Sequence, residues 1–131
     1  AKSANLPDVV HFKDLKVENE IFVPWTGTFI DWHETALGSY DNAKIKVDIM
    51  SQLYYFLTKE ESWAIVPSSV ANYMTNDPLI VRKELGFDVP RRMGVCAFVD
   101  DRSKQKLIDS FLVCIKEVLQ NRTDCDIEIF I

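Results

Sequence analysis

The chain has 131 residues, 47% of them hydrophobic, which is enough to bury one sizeable core in a single domain. Fifteen basic against 20 acidic side chains leave a net charge of −5, which argues against a nucleic-acid surface within this chain, since phosphate binding needs a clustered basic face. No apolar run approaches the 18 residues of a membrane span. The three cysteines, Cys96, Cys114 and Cys125, are odd in number and far apart, so they give neither a zinc spacing nor a disulfide framework. Unpaired thiols point to a reducing, cytoplasmic setting. No initiating Met is present and no signal peptide is visible, so the chain can be read as a fragment.

In chain order, residues 1–19 form an irregular entry segment, with Pro7 breaking any early helix and Phe12-Lys-Asp-Leu15 suggesting one turn. Glu20 to Trp25 reads as a strand with Pro24 near its exit. Phe29, Trp32, His33, Ala36 and Leu37 recur at three and four, so a helix follows and Gly38 ends it. Lys44 to Ile49 alternates strictly and predicts a half-buried strand at or near a sheet edge. Ser51 is placed to cap a helix from Gln52 to about Lys59, with Leu53, Phe56 and Leu57 inward.

Trp63 to Val66 is short and uniformly apolar, the pattern of a strand buried on both faces in a parallel sheet. Pro67 ends it, and Ser68 or Ser69 is placed to cap a short helix. Asn76-Asp-Pro78 is a turn, Leu79 to Leu85 a strand, and Met93 to Val99 a last strand. Beyond Ser103, Leu107, Ile108, Phe111, Leu112, Ile115, Val118 and Leu119 define the cleanest amphipathic helix, closed by Asn121. That stripe should dock on the chain's own sheet or on a neighbour's. Asp126 to Ile131 is a tail, either disordered or able to add to a sheet edge. The order gives an α/β domain: a mostly parallel sheet with helices on both faces, spanning 20–120 with the last helix at about 103–120, and a tail at 121–131.

Ligands of open α/β sheets gather outside the carboxyl ends of the strands. Here those ends are Trp25, Thr26, Gly27, Thr28 and Phe29; Ile49, Met50, Ser51 and Gln52; and Pro67, Ser68 and Ser69. Each offers a hydroxyl where a helix begins, and helix N-termini favour anions. Taken singly, each hydroxyl is an ordinary helix cap. Their convergence at one sheet end is what suggests a site for an anionic small molecule. His11 and the Asp31-Trp-His33 stretch are the only histidine candidates, but Asp31 and His33 do not share a helix face, and His33 reads as a partly buried polar residue beside Trp32. There is no Gly-rich phosphate loop, nucleophile elbow or metal spacing, so no cofactor or metal is expected and a binding module is expected rather than an enzyme.

Met50-Ser-Gln-Leu-Tyr-Tyr-Phe-Leu, followed by Ser62-Trp-Ala-Ile-Val-Pro-Ser-Ser-Val-Ala71, resembles the central signature of the effector-binding domain of LysR-type transcriptional regulators. Phe12-Lys-Asp-Leu15 with Glu20-Ile-Phe-Val-Pro24, Leu79-Ile-Val-Arg82, Pro90-Arg-Arg92 and Asp101-Arg-Ser103 continue the family's order over about residues 12 to 120. The chain departs where the family has glycines before the central strand, since Glu60-Glu61-Ser62 stands there. The resemblance implies one lobe, the second, of a type II periplasmic-binding-protein-like domain, with an effector held between lobes. It also implies DNA binding only through a domain absent from this chain. The helix with Phe29, Trp32 and Leu37 and the strand 44–49 fall where the family pairs subunits side by side, so self-association is expected. A lobe of a solute receptor for a transporter, or an enzyme sharing the two-lobed fold, are the alternatives.

Overall fold

The computed structural model describes residues 1–92, 94 and 102–123. Two compact units emerge, Ala1–Arg92 and Met93–Ile131. Among the described residues of the first are strands β1 (Val9–Val10), β2 (Ile21–Phe22), β3 (Ile45–Lys46) and β4 (Glu84–Leu85), with helices α1 (Gly27–Ala36), α2 (Met50–Leu57) and α3 (Ser68–Met74). The second holds α4 (Gln105–Gln120). The expected strand over Met93 to Val99 and the tail from Asp126 lie outside the described residues.

The pairing is parallel throughout: β2 with β3, Ile21 opposite Ile45, and β1 with β4, Val9 opposite Glu84. On the far side of β2 from β3, Glu20 forms a parallel bridge with Trp63. The Trp63 N–H donates to the Asn19 carbonyl at 3.2 Å, and the Ile21 N–H donates to the Trp63 carbonyl at 2.8 Å. Segments 45–47, 20–23 and 63–66 therefore run side by side with one polarity.

Alternation along those segments divides the core in two. Ile21, Val23 and Val47 face one way and pack with Leu53 and Leu57 of α2, Met74 of α3 and Ile80, with Ala64 and Val66 beside them. Phe22, Trp63 and Ile65 face the other way and pack with Phe29 of α1, Ile30 and Trp32 adjoining. The expected α/β layering, with helices on both faces of a parallel sheet, is present in this short form. Trp63 and Ile65 are buried as expected, while Ala64 and Val66 on the other face are only half-buried.

Several boundaries differ from the sequence expectation. Strand pairing is shorter than expected in all four segments, because the ladders stop after one or two residues. The sequence-predicted strand over Leu79 to Leu85 shrinks to Glu84–Leu85, since Leu79 and Ile80 are drawn into a turn at Asp77. There the Leu79 N–H donates to the Asp77 carboxylate at 2.7 Å and the Ile80 N–H to the Asp77 carbonyl at 3.1 Å. Ser51 lies inside α2 and Ser68 is the first residue of α3; neither caps its helix, because extended Ile49 (ψ 135°) and Pro67 (ψ 147°) occupy the cap positions. Thr26 does cap α1, its hydroxyl accepting the Phe29 N–H at 3.1 Å. The apolar face of α1 lies on its own sheet, with Phe29 buried, so any case for self-association rests on the β3 edge alone. Within α4 no residue is buried, and Cys114 is exposed.

Glu61 adopts φ +57°, the left-handed region, at the turn that feeds Trp63. A side chain there costs about 1–2 kcal/mol relative to ordinary backbone. Its carboxylate recovers part of this by accepting from the Asn19 amide at 3.2 Å. Glu61→Gly should raise stability by about 0.5–1 kcal/mol, and Glu61→Val should lower it by about 1–2 kcal/mol, because a β-branched residue is the worst fit to positive φ. Urea midpoints at unchanged m-value measure both.

Candidate functional site

Parallel polarity fixes where the three predicted segments emerge. Strand 20–23 delivers the chain into Trp25 to Phe29, strand 45–47 into Ile49 to Gln52, and segment 63–66 into Pro67 and Ser68. Across that end the Trp25 indole N–H donates to the Ile65 carbonyl at 2.8 Å, tying the first segment to the third. Within it, Gly27, Thr28, Ile49, Met50, Ser51 and Gln52 are exposed, Trp25, Thr26, Pro67 and Ser68 half-buried, and Phe29 buried in the core. Phe29 is thus a packing residue, and the Thr26 hydroxyl is engaged as a cap. The exposed side chains of Thr28, Ser51 and Gln52 and the half-buried Ser68 hydroxyl are polar groups this edge presents. A cleft of about 740 Å³ opens elsewhere on the same unit; of the twelve residues named at the three strand ends it takes Ser68 alone.

The unit also buries an acid–base pair that the sequence reading missed. Glu20 on the strand and His33 on α1 are 1% and 0% exposed, and the His33 Nε2 sits 3.0 Å and 2.9 Å from the two Glu20 oxygens. Phe22, Phe29 and Trp32 surround the imidazole, Phe22 edge-on at 4.8 Å between ring centroids. The His33 Nδ1 is buried with no partner. His33 is therefore fully rather than partly buried, and it answers Glu20 rather than Asp31. A signal for this exists in the sequence: Glu20 is in phase with Phe22, and His33 is in phase with Phe29 at i+4, so strand and helix turn the same faces to each other.

Neither a family model, nor a curated protein, nor a solved structure matches the chain. The chemistry must be read from the geometry alone. Among the described residues no group of three metal-ligating side chains assembles, and no helix is long and apolar enough to cross a membrane. The Glu20–His33 pair has no open path to a substrate on its described contacts, and its apolar shell makes it a structural tie between α1 and the sheet. The edge formed by residues 25–29, 49–52 and 67–68 is the better candidate for recognition, because it is accessible and its hydroxyls and helix starts come from three separate segments.

Burial pushes the Glu20 carboxyl up from its ordinary 4.5, against the opposing pull of His33. The folded chain thus holds this proton more tightly than the unfolded chain. The Glu20 contribution to stability is largest below pH 4.5 and falls as pH rises through the folded value. The stability of the wild type minus that of Glu20→Gln should therefore decline as pH is raised from about 4.5, measured by urea unfolding at successive pH values. At neutral pH, Glu20→Leu or His33→Leu alone should cost about 3 kcal/mol, and the double variant should recover most of it, because the pair then leaves together.

Proposed function

We propose that this chain is the effector-sensing part of a LysR-like transcriptional regulator, one lobe of a small-molecule cleft that carries no reaction. The observation that carries this reading is the common polarity of segments 20–23, 45–47 and 63–66, which sends three chain segments out at one sheet end. A second observation supports it. Glu61 takes the left-handed conformation that glycine favours, at the turn where the family pattern has glycine.

In this reading a small anion meets the hydroxyls of Thr28, Ser51 and Ser68 and the free N–H groups at the starts of α1 and α2. A lobe that supplies half of a cleft binds weakly by itself. A second lobe closing over the effector would favour one arrangement of the two, and an oligomer would relay that preference to DNA-binding helices carried elsewhere. The setting is cytoplasmic, no cofactor is needed, and the chain self-associates.

The test is an amide-resolved NMR titration of the chain with benzoate, succinate and inorganic phosphate. At least one should give saturable shifts concentrated at residues 26–29, 50–52 and 68. Thr28→Asp, at an exposed position, should weaken that binding by about tenfold, or 1.4 kcal/mol, by setting a like charge against the anion. Shifts that never saturate, or that fall outside this edge, would overturn the reading.

A further inference from the structure

Among the described residues, Glu20 and His33 are the only buried side chains that can carry a charge. The His33 Nε2 lies 3.0 Å and 2.9 Å from the two Glu20 oxygens, so one proton sits between that nitrogen and the carboxylate. A pair without net charge needs a second proton, on the His33 Nδ1. That nitrogen is buried and, among the described residues, has no partner. The first proton is therefore held by three atoms and the second by one. Losing the second leaves a net negative charge inside a shell of Phe22, Phe29 and Trp32, which cannot solvate it.

The two sides of the pair are not equally free to respond. Glu20 is pinned in the sheet, its carbonyl accepting the Ile45 N–H at 3.3 Å and its N–H donating to the Val17 carbonyl at 2.9 Å. Helix α1 meets the sheet through side chains, with Phe29, Ile30 and Trp32 in the apolar core and His33 on Glu20. Water can reach the charge only where the helix gives way. The core under α2 and α3 lies on the other face of the strands and holds none of these protons.

Other ionisable groups around the pair stand outside its shell. Asp31 and Glu34 of α1, Lys16 and Glu18 before β2, and Asp88 beside Phe87 are exposed. Tyr40 stacks on Phe22 at 4.8 Å between ring centroids, with the exposed Lys46 of β3 over its own ring. Lys44 bonds to the Ser62 hydroxyl at 3.3 Å, and segment 63–66 carries no charge.

We propose that the Glu20–His33 pair is a proton switch for the docking of α1. With its second proton in place the pair holds the helix on the sheet; as pH rises and that proton leaves, α1 loosens while the α2–α3 layer stays packed. The upward push on the Glu20 carboxyl agrees in sign, since the folded chain binds the proton more tightly than the unfolded chain. The first turn of α1 belongs to the edge at residues 25–29, so the switch acts on that edge. It stands whether or not the edge takes an effector.

The test is amide hydrogen exchange of the full chain by NMR from pH 4.5 to about 8, corrected for the intrinsic pH dependence of exchange, with the His33 ring nitrogens followed in the same samples. Protection of the α1 amides at residues 30–37 should fall at least tenfold relative to that of the α2 amides, over the interval in which Nδ1 loses its proton. Glu20→Gln keeps the shape but removes the carboxylate, so the ratio of α1 to α2 protection should then change less than twofold. If that variant misfolds, the coincidence of the two wild-type profiles still decides. A level α1 profile, parallel losses in α1 and α2, or an Nδ1 that keeps one protonation state throughout would overturn the proposal. So would a folded Glu20→Gln variant with the wild-type profile.

Discussion

The fold of the first unit depends on one geometric fact: the side chains of two adjacent strand segments point alternately into two separate cores. Ile21 and Val23 serve the core covered by α2 and α3, while Phe22 serves the one covered by α1. Segment 63–66 repeats the division, with Ala64 and Val66 to one side and Trp63 and Ile65 to the other. A slip of one residue in their pairing would send every one of these side chains to the wrong layer. Backbone pairing between them is sparse, so register is held mainly by what each side chain would lose on changing cores.

Polar contacts are placed to reinforce that register. Glu20 stands at the bridge with Trp63 and reaches His33 on α1, so the strand pairing and the docking of the helix share one residue. Trp63 is fixed further by its indole, which donates to the Lys16 carbonyl at 2.9 Å. On the other layer, the Tyr54 hydroxyl donates to the Asp77 carboxylate, joining α2 to the turn after α3. These are tertiary bonds between segments that have little secondary structure of their own to stabilise them.

Much of this was legible in the residues. The spacing of Phe29, Trp32 and His33, of Leu53, Phe56 and Leu57, and of the stripe after Ser103 located three helices, because amphipathic periodicity reports a buried face directly. Strand lengths were not legible. Alternation at Lys44 to Ile49 continues past the point where Asp48 and Ile49 turn outward, and a pattern of residue types carries no mark of where a ladder runs out of partner. The caps of α2 and α3 were misplaced by one or two residues, since Ile49 and Pro67 take extended backbone while their serine neighbours look like better caps. The candidate edge could be traced from strand order alone. The Glu20–His33 pair was harder to see: it joins a strand to a helix 13 residues away, and its signal is the shared phase of Glu20 with Phe22 and of His33 with Phe29 rather than any local motif. Glu61 adopts left-handed backbone that nothing in its residue type announces.

The bond from the Trp25 indole to the Ile65 carbonyl has a bearing on motion. In a continued ladder that carbonyl would accept a backbone N–H, and parting the strands would mean shifting the main chain. Here the acceptor is held by a ring at the end of a side chain with two rotatable bonds. The far end of the sheet is thus latched by a rotamer. Turning one half-buried indole frees the Ile65 carbonyl, while the pairing at Glu20, Ile21 and Trp63 and the packing of Phe29 with Ile65 stay in place. A side-chain rotation of that kind belongs to a faster class of motion than strand separation.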